Sequence, residues 1–337
     1  MKSHKTFMNR CIQLAKNGLG TTYPNPLVGS LILSEEGQIL GEGWHYKSGR
    51  PHAEVMAVRD AEKKGYDESA FAKATLYVNL EPCSHTGKTP PCATMIIAKG
   101  FKKVVIGTLD PHEKVAGKGV QLLKDAGIEV ITNICAESCH RLNRRFFTYH
   151  TKKRPYIILK WAETADGFIA PLIKEDVAPV WITSKISRQH AHRTRAREQA
   201  ILIGAKTLLD DNPSLTCRQW HGHHPTRIVW DHRGKLPKAM KIFDDQAETL
   251  ILQKSENELD GVLDQIYAEG IQSVIIEGGA KTLQKFIDSG HWDEAHQYMG
   301  AEVLFHQGTP APLLHGQLVL HERRLLGKDI LKTYYRS

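Results

Sequence analysis

Apolar residues recur at helical spacing over 3–17, where Phe7, Cys11, Leu14 and Ala15 share one face and Gly18 ends the run. Two apolar runs, 28–33 and 38–43, flank Glu35-Glu36-Gly37 and read as a hairpin. A helix is predicted over 52–64, entered after Pro51 and closed by Gly65. Then come a strand over 75–80, a helix over 92–99 closed by Gly100, a strand over 103–107, a helix over 119–126, a strand over 128–132 and a helix over 136–147. Alternating strands and helices of this length imply a layered α/β domain, placed at 1–150. Lys152-Lys153-Arg154-Pro155 interrupts the pattern and reads as a linker. The pattern restarts with a strand over 156–160 and a basic helix over 187–199. Strands over 200–204, 227–230, 249–252 and 273–277, with helices over 256–269 and 282–289, predict a second α/β domain at 155–337.

A chain of 337 residues is long for one core and comfortable for two. Its 41% hydrophobic and 24% charged content are those of a soluble globular protein. No apolar run approaches the roughly 20 residues of a membrane span. The opening Met1-Lys2-Ser3-His4-Lys5-Thr6 lacks the apolar stretch of a signal peptide, so a cytoplasmic protein with no membrane partner is expected. Six cysteines in this length do not make a disulfide scaffold. The formal charge of +8 suits either nucleic acid or phosphate-bearing small ligands. The aromatic-basic interleaving of single-strand binders is missing, so no nucleic-acid partner is expected. Arg188, Arg193, Arg195 and Arg197 would, on the simplest reading, be a solvated helix face.

The chemistry concentrates between His45 and Cys92. His52, Cys83 and Cys92 offer one imidazole and two thiols, three good ligands for one Zn²⁺ that leave the fourth position open for water. Glu54, two residues past His52, is too close to be a comfortable fourth ligand and well placed to move a proton from that water. Alone, His-Ala-Glu is weak, and a cysteine is more often a buried thiol. The joint pattern is stronger: His-x-Glu opening a helix, then two Pro-Cys pairs, the second opening another. Helix starts favour anions, so the dipoles should lower the cysteine pKa there. Cys135, Cys139 and His140 could suit a second metal, but lack a fourth partner and read as buried thiols, like Cys11 and Cys217. His221, His223 and His224 read as a solvated turn. In the second half, Glu277-Gly278-Gly279-Ala280-Lys281-Thr282 reads as strand, glycine turn and helix start, where exposed N–H groups suit a phosphate. No Gly-x-Gly-x-x-Gly is present, which excludes a Rossmann domain.

The first-half pattern resembles that of zinc nucleoside and base deaminases, His-x-Glu followed by Pro-Cys-x-x-Cys, with eight residues instead of two between the cysteines. The run from Glu81-Pro82-Cys83 to Pro91-Cys92, with Pro24-Asn25-Pro26-Leu27-Val28-Gly29, resembles the bifunctional riboflavin-biosynthesis deaminase/reductase family. The second half carries the same resemblance in Thr164-Ala165-Asp166-Gly167, Trp181-Ile182-Thr183-Ser184, the strand 200–204, the run 210–218, and Glu277-Gly278-Gly279. It implies two α/β domains, a cytidine-deaminase-like three-layer domain and a dihydrofolate-reductase-like domain binding NADPH. It implies that His52, Cys83 and Cys92 hold zinc, that Glu54 shuttles protons, and that Asn25, His45 and Lys88 contact the substrate. In the reductase half it implies NADPH contacts at Ala162, Trp181, Thr207, Asp211, Gly279, Ala280, Lys281 and Thr282. Arg195, Leu215, Arg218 and Glu277 would hold the substrate, with the two guanidiniums gripping its phosphate.

The chain departs from the family where Ala162 replaces a usual glycine, and at Val177-Ala178-Pro179-Val180, where relatives often have Gly-x-Ser. Pro179 has neither the hydroxyl nor a backbone N–H. The implied activity is zinc-dependent deamination of a pyrimidine ribosyl phosphate, then NADPH-dependent reduction of its ribosyl chain, in a homo-oligomer. Two other readings compete with this one. A nucleic-acid base deaminase with an RNA-binding second half is opposed by the cysteine spacing and the reductase-like blocks. A non-catalytic zinc module is opposed by Glu54 and the open coordination position.

Overall fold

The computed structural model describes residues 3–84, 90–111, 116–231, 234, 236–252 and 258–336. The chain divides into two compact units, 1–153 and 154–337. Among the described residues no helix is long and apolar enough to cross a membrane.

The first unit runs α1 (His4–Ala15), β1 (Gly29–Leu33), β2 (Ile39–Trp44), α2 (Ala53–Lys63), α3 (Glu68–Phe71), β3 (Thr75–Leu80), α4 (Cys92–Ala98), β4 (Lys103–Thr108), α5 (Lys118–Asp125), β5 (Glu129–Ile131), α6 (Ala136–Leu142) and α7 (Arg144–Lys152). Its sheet has the order β2-β1-β3-β4-β5, with β1 antiparallel to both neighbours and β3, β4 and β5 parallel. Successive strand residues point to opposite faces. Ile32, Leu76, Val78, Val104 and Ile106 therefore pack with Ala57 and Val58 of α2, Ile96 of α4 and Leu123 of α5. Leu31, Leu33, Tyr77 and Val105 pack on the other side with Phe7, Met8 and Cys11 of α1 and Cys139 of α6. The result is a three-layer domain. Cys139 and Cys11 are thus core thiols, as is Cys217 in the second unit.

The second unit runs β6 (Tyr156–Thr164), β7 (Phe168–Pro171), α8 (Lys185–Arg195), β8 (Ala200–Gly204), α9 (Ala205–Asp211), β9 (Thr226–Trp230), β10 (Thr249–Leu252), α10 (Glu258–Ala268), β11 (Ser273–Gly278), α11 (Ala280–Ser289), β12 (Glu294–Gly300), β13 (Gly308–Pro310), β14 (Leu318–Leu326) and β15 (Asp329–Arg336). Its main sheet has the order β10-β9-β8-β11-β6-β12-β15-β14. The strands from β10 to β12 are parallel, and the last two pairings are antiparallel. Ile157, Leu159, Leu202, Ile228, Val274 and Ile276 face α10 and α11, while Ile158, Ile201, Ile203, Val229 and Ile275 pack with Leu208, Leu215 and Ile242. Parallel strands buried on both faces read as continuous apolar runs, as these do.

Three expectations need correction. The helix expected over 136–147 is two helices broken at Asn143, whose backbone leaves the helical basin at φ −99° and ψ 20°. The basic helix stops at Arg195 and not at 199, so Arg197 lies beyond it. Strands β12 to β15 were not anticipated. Strand β12 hides its burial behind polar residues: Glu294 and His296 are both buried and bonded to each other at 2.7 Å. Most of β14 is exposed, so it shows no alternation of buried and solvent positions.

Candidate active sites

In the first unit the site is assembled by three helix and strand ends. Helix α2 lies directly on β2 because Gly41 and Gly43 have no side chain. A Cβ on Gly43 would come within 2.4 Å of Ala57 N and 2.6 Å of Ala53 O. This contact fixes the start of α2, where His52 is the N-cap and Glu54 lies in the first turn. Cys83 follows β3, and the start of α4 rests on it. Its Sγ accepts from Cys92 N at 3.3 Å and its carbonyl accepts from Ala93 N at 3.2 Å. Two of the orphan amides of α4 are satisfied in this way, and Cys92 is brought beside Cys83. His52 Nδ1 lies 3.6 Å from Cys83 Sγ and 3.3 Å from Cys92 Sγ.

All three ligand atoms lie within 4.8 Å of one another. An imidazole and two thiols converging on one point form a borderline-soft donor set that fits zinc. Glu54 is 3% exposed, and burial pushes its carboxyl up to about 7, with Cys83 acting in the same direction and His52 against it. The two thiols do not behave alike. The hydrogen bond with Cys92 is the main cause holding Cys83 down at about 4, burial opposing and His52 adding to it. Cys92 is pushed up by Cys83 and by burial. Cys92 is the thiol that opens a helix, and there Cys83 and burial outweigh the lowering expected from the helix start.

Asn25 and His45 stand next to this cluster. The His45 ring is buried, and its centroid lies 5.4 Å from that of His52. His45 Nδ1 faces the Pro51 carbonyl at 3.1 Å, so Nδ1 carries the proton. That leaves Nε2 to accept from Asn25 Nδ2 at 3.0 Å. Burial lowers the His45 pKa, which keeps the ring neutral. Lys88 lies outside the described residues.

In the second unit two groups of residues come together. The first lies at the C-terminal ends of the neighbouring parallel strands β8 and β11, the usual ligand position in parallel α/β sheets. Gly278 sits at φ 135°, a backbone that L side chains avoid, and is joined to Gly279 by a cis peptide. Gly279 is the N-cap of α11. A Cβ on Gly279 would lie 3.0 Å from Thr207 Oγ1, and one on Gly204 would lie 2.6 Å from Thr282 Oγ1. Thr207, Gly279 and Thr282 are therefore neighbours, with Ala280 and Lys281 in the same first helical turn. The other three residues expected at the cofactor make contacts of their own. Ala162 pairs across the sheet with Tyr298. The exposed Trp181 ring lies 4.4 Å under the Arg188 guanidinium. Asp211 accepts from Lys174.

The second group centres on Glu277, the residue before that glycine turn. Arg195 grips it with two bonds, Nε to Oε1 at 3.0 Å and Nη2 to Oε2 at 2.7 Å. Nη1 of Arg195 donates to Thr216 O at 3.2 Å. Burial alone would raise the Glu277 pKa, but Arg195 and Lys160 hold it at about 2. Arg195 thus spends its planar fork inside the protein, which changes the expectation that it grips a phosphate. Arg218 differs: it is exposed and donates from Nη1 to Thr216 Oγ1 at 3.1 Å. Leu215 is buried with φ 53°, shaping the loop that carries Arg218.

Sequence reasoning missed Lys160. It lies on β6 with Nζ 3.8 Å from Glu277 Oε2 and 5.6 Å from the centre of the Tyr298 ring. Burial lowers its pKa while Glu277 opposes the shift. The available signal was a lysine between Leu159 and Trp161, just after the apolar run Tyr156-Ile157-Ile158-Leu159.

Comparisons with known proteins place both units in described families. The family model for the cytidine and deoxycytidylate deaminase zinc-binding region matches residues 1–108, and that for the RibD C-terminal domain matches residues 155–319. The riboflavin biosynthesis protein RibD of Aquifex aeolicus is 40% identical over 321 residues, covering 89% of this chain and 87% of the relative. RibD of Bacillus amyloliquefaciens is 38% identical, covering 91% of this chain and 86% of the relative. A crystal structure from Thermotoga maritima, described as a diaminohydroxyphosphoribosylaminopyrimidine deaminase/5-amino-6-(5-phosphoribosylamino)uracil reductase, superimposes with a TM-score of 0.88 at 37% identity. It covers 99% of this chain and 98% of that one. Acinetobacter baumannii RibD gives a TM-score of 0.86 at 33% identity, with the same coverage.

Proposed function

The chain belongs to the RibD family of riboflavin-biosynthesis deaminase/reductases, and from that premise we propose how its residues divide the chemistry. It is a bifunctional enzyme with a zinc-binding deaminase domain and a reductase domain. The first reaction is the hydrolytic deamination of 2,5-diamino-6-ribosylamino-4(3H)-pyrimidinone 5′-phosphate. The second reduces the ribosyl side chain with NADPH to give 5-amino-6-(5-phosphoribitylamino)uracil.

His52, Cys83 and Cys92 would hold one zinc ion, whose Lewis acidity makes water nucleophilic near neutral pH. Glu54, with its pKa raised to about 7 by burial, can both take and give a proton at neutral pH. It protonates the ring nitrogen and then the leaving ammonia. His45, neutral and fixed by Pro51 O, aims Asn25 at the substrate. In the second unit NADPH would supply hydride, and Gly279 to Thr282 at the start of α11 would hold its phosphates. Arg218 holds the substrate phosphate. Glu277 and Lys160 face the sugar and position it, and Arg195 holds Glu277 in place. Positioning supplies much of the rate, because the cofactor carries the hard step. Pro179 lies in an exposed segment and contributes no donor. The partner is a small molecule, and homo-oligomerisation, testable by sedimentation, belongs to the same proposal.

The observation that carries this reading is the convergence of His52 Nδ1, Cys83 Sγ and Cys92 Sγ beside the buried carboxyl of Glu54. Purified protein given the diaminopyrimidine substrate should release ammonia, and then oxidise NADPH in step with it. A tRNA control should do neither. Ammonia released from tRNA, or NADPH left untouched once deaminated substrate is present, would replace this reading with that of a base deaminase.

A further inference from the structure

Residues 26–28, between Asn25 and β1, belong to no helix or strand. Their backbone groups need partners from elsewhere. Two buried asparagines supply those of Leu27. Asn143, 2% exposed at the break between α6 and α7, accepts from Leu27 N through Oδ1 at 2.7 Å and donates from Nδ2 to Leu27 O at 2.9 Å. Asn79 on β3, fully buried, donates to the same carbonyl at 3.0 Å and accepts from Gly29 N at 2.7 Å. Val28 O accepts from His45 N at 2.9 Å. Both backbone groups of Leu27 are thus closed by one amide side chain, 116 residues away in sequence. Two residues earlier, Asn25 reaches His45, which stands beside His52.

We propose that Asn143 is a positioning residue for the deaminase. From beyond the zinc-binding region at 1–108, it locks the Leu27 backbone and so fixes Asn25 against the substrate. This rests on the reading that Asn25 contacts substrate. An amide is the side chain the position calls for, because it must donate and accept at once. A carboxylate at 143 could still accept from Leu27 N but would set an oxygen against the Leu27 carbonyl.

The test uses the zinc-loaded full chain and a double-mutant cycle of Asn25→Ala and Asn143→Ala. Each single variant should lower kcat/KM for deamination about tenfold or more, chiefly through KM, and the double variant should be no worse than the weaker single one, because two members of one unit do not add. Zinc content and reductase turnover of Asn143→Ala should match the parent. Asn143→Asp should fall between parent and Asn143→Ala, and it takes the place of Asn143→Ala in the cycle if the latter does not fold. Multiplicative losses in the double variant would show a general structural role and overturn the proposal. So would normal deamination by Asn143→Ala where Asn25→Ala is impaired. Normal deamination by Asn25→Ala would remove the reading beneath the proposal, and the proposal with it.

Discussion

The two candidate sites are built on opposite plans. In the first unit three side chains from 52, 83 and 92 converge on one point, and the chemistry follows from the donor set. In the second unit, Glu277, Arg195 and Lys160 form a buried charge cluster, and the Gly278-Gly279 turn stands next to it. The first site is specified by element identity, since few residue types can hold zinc. The second is specified by mutual electrostatics, since Glu277 stays ionised only because two cations surround it. A site of the first kind should lose function sharply and keep its fold when a non-ligand group is changed. A site of the second kind should lose stability together with function.

The largest effect expected from this contrast is at Glu54. Glu54→Gln keeps every metal ligand and removes the proton carrier, so deamination should fall by about 10²–10⁴-fold with zinc retained. Metal analysis beside an ammonia assay checks it, and near-normal turnover would end the assigned role. Next is Arg195→Ala, which removes the two-bond partner of Glu277 and leaves that buried carboxylate with Lys160 alone. It should destabilise the second unit by about 3 kcal/mol, the scale of a broken buried ion pair. Denaturant unfolding of that unit measures this, and an unchanged midpoint would mean the pair is not buried as described.

A smaller effect is set by pH. Burial, then Arg195 and Arg218, hold His192 neutral with its pKa down at about 4. Below the ordinary value near 6.5 the unfolded chain binds a proton that the folded chain refuses, so stability falls as pH drops from about 6.5 towards 4. At pH 5 this single buried histidine should cost on the order of 2 kcal/mol. Replacing His192 with Gln should flatten the dependence in that window. A dependence left as steep in that variant would assign it to other groups. The smallest effect is at Arg218, which is exposed and outside the ion pair. Arg218→Ala should weaken reductase substrate binding about tenfold, the loss of one charge-assisted contact, and leave stability and NADPH affinity nearly unchanged. Equal losses for substrate and cofactor would mean the two subsites are misassigned.

The same contrast decides what was legible in the sequence. The zinc triad and Glu54 lie within 41 positions, 52 to 92, and each sits at an element end marked by proline. Asn25 and His45 came only from family resemblance, because no local pattern says that a neutral histidine will hold an asparagine. The pairing of Arg195 with Glu277 spans 82 residues and depends on how α8 meets β11, so the arginine first looked like a solvated cation. Lys160 was hidden because a strand pattern expects a polar position somewhere. The two-domain α/β class was readable from alternating elements. The closing strands β12 to β15 were not, since the polar pair Glu294 and His296, bonded to each other inside β12, masks its burial.

The central claim is that one chain carries two sites, of which only the first depends on metal. Among the described residues only His52, Cys83 and Cys92 form a group of three suited to a metal ion. A strong chelator, with metal analysis to prove removal, followed by separate assays of each half-reaction, tests the claim directly. Deamination should disappear and return with zinc, while NADPH-dependent reduction of already deaminated substrate continues at close to its original rate. Reductase activity that vanished and returned in step with zinc, while the second unit stayed folded by spectroscopy, would contradict the two-site account.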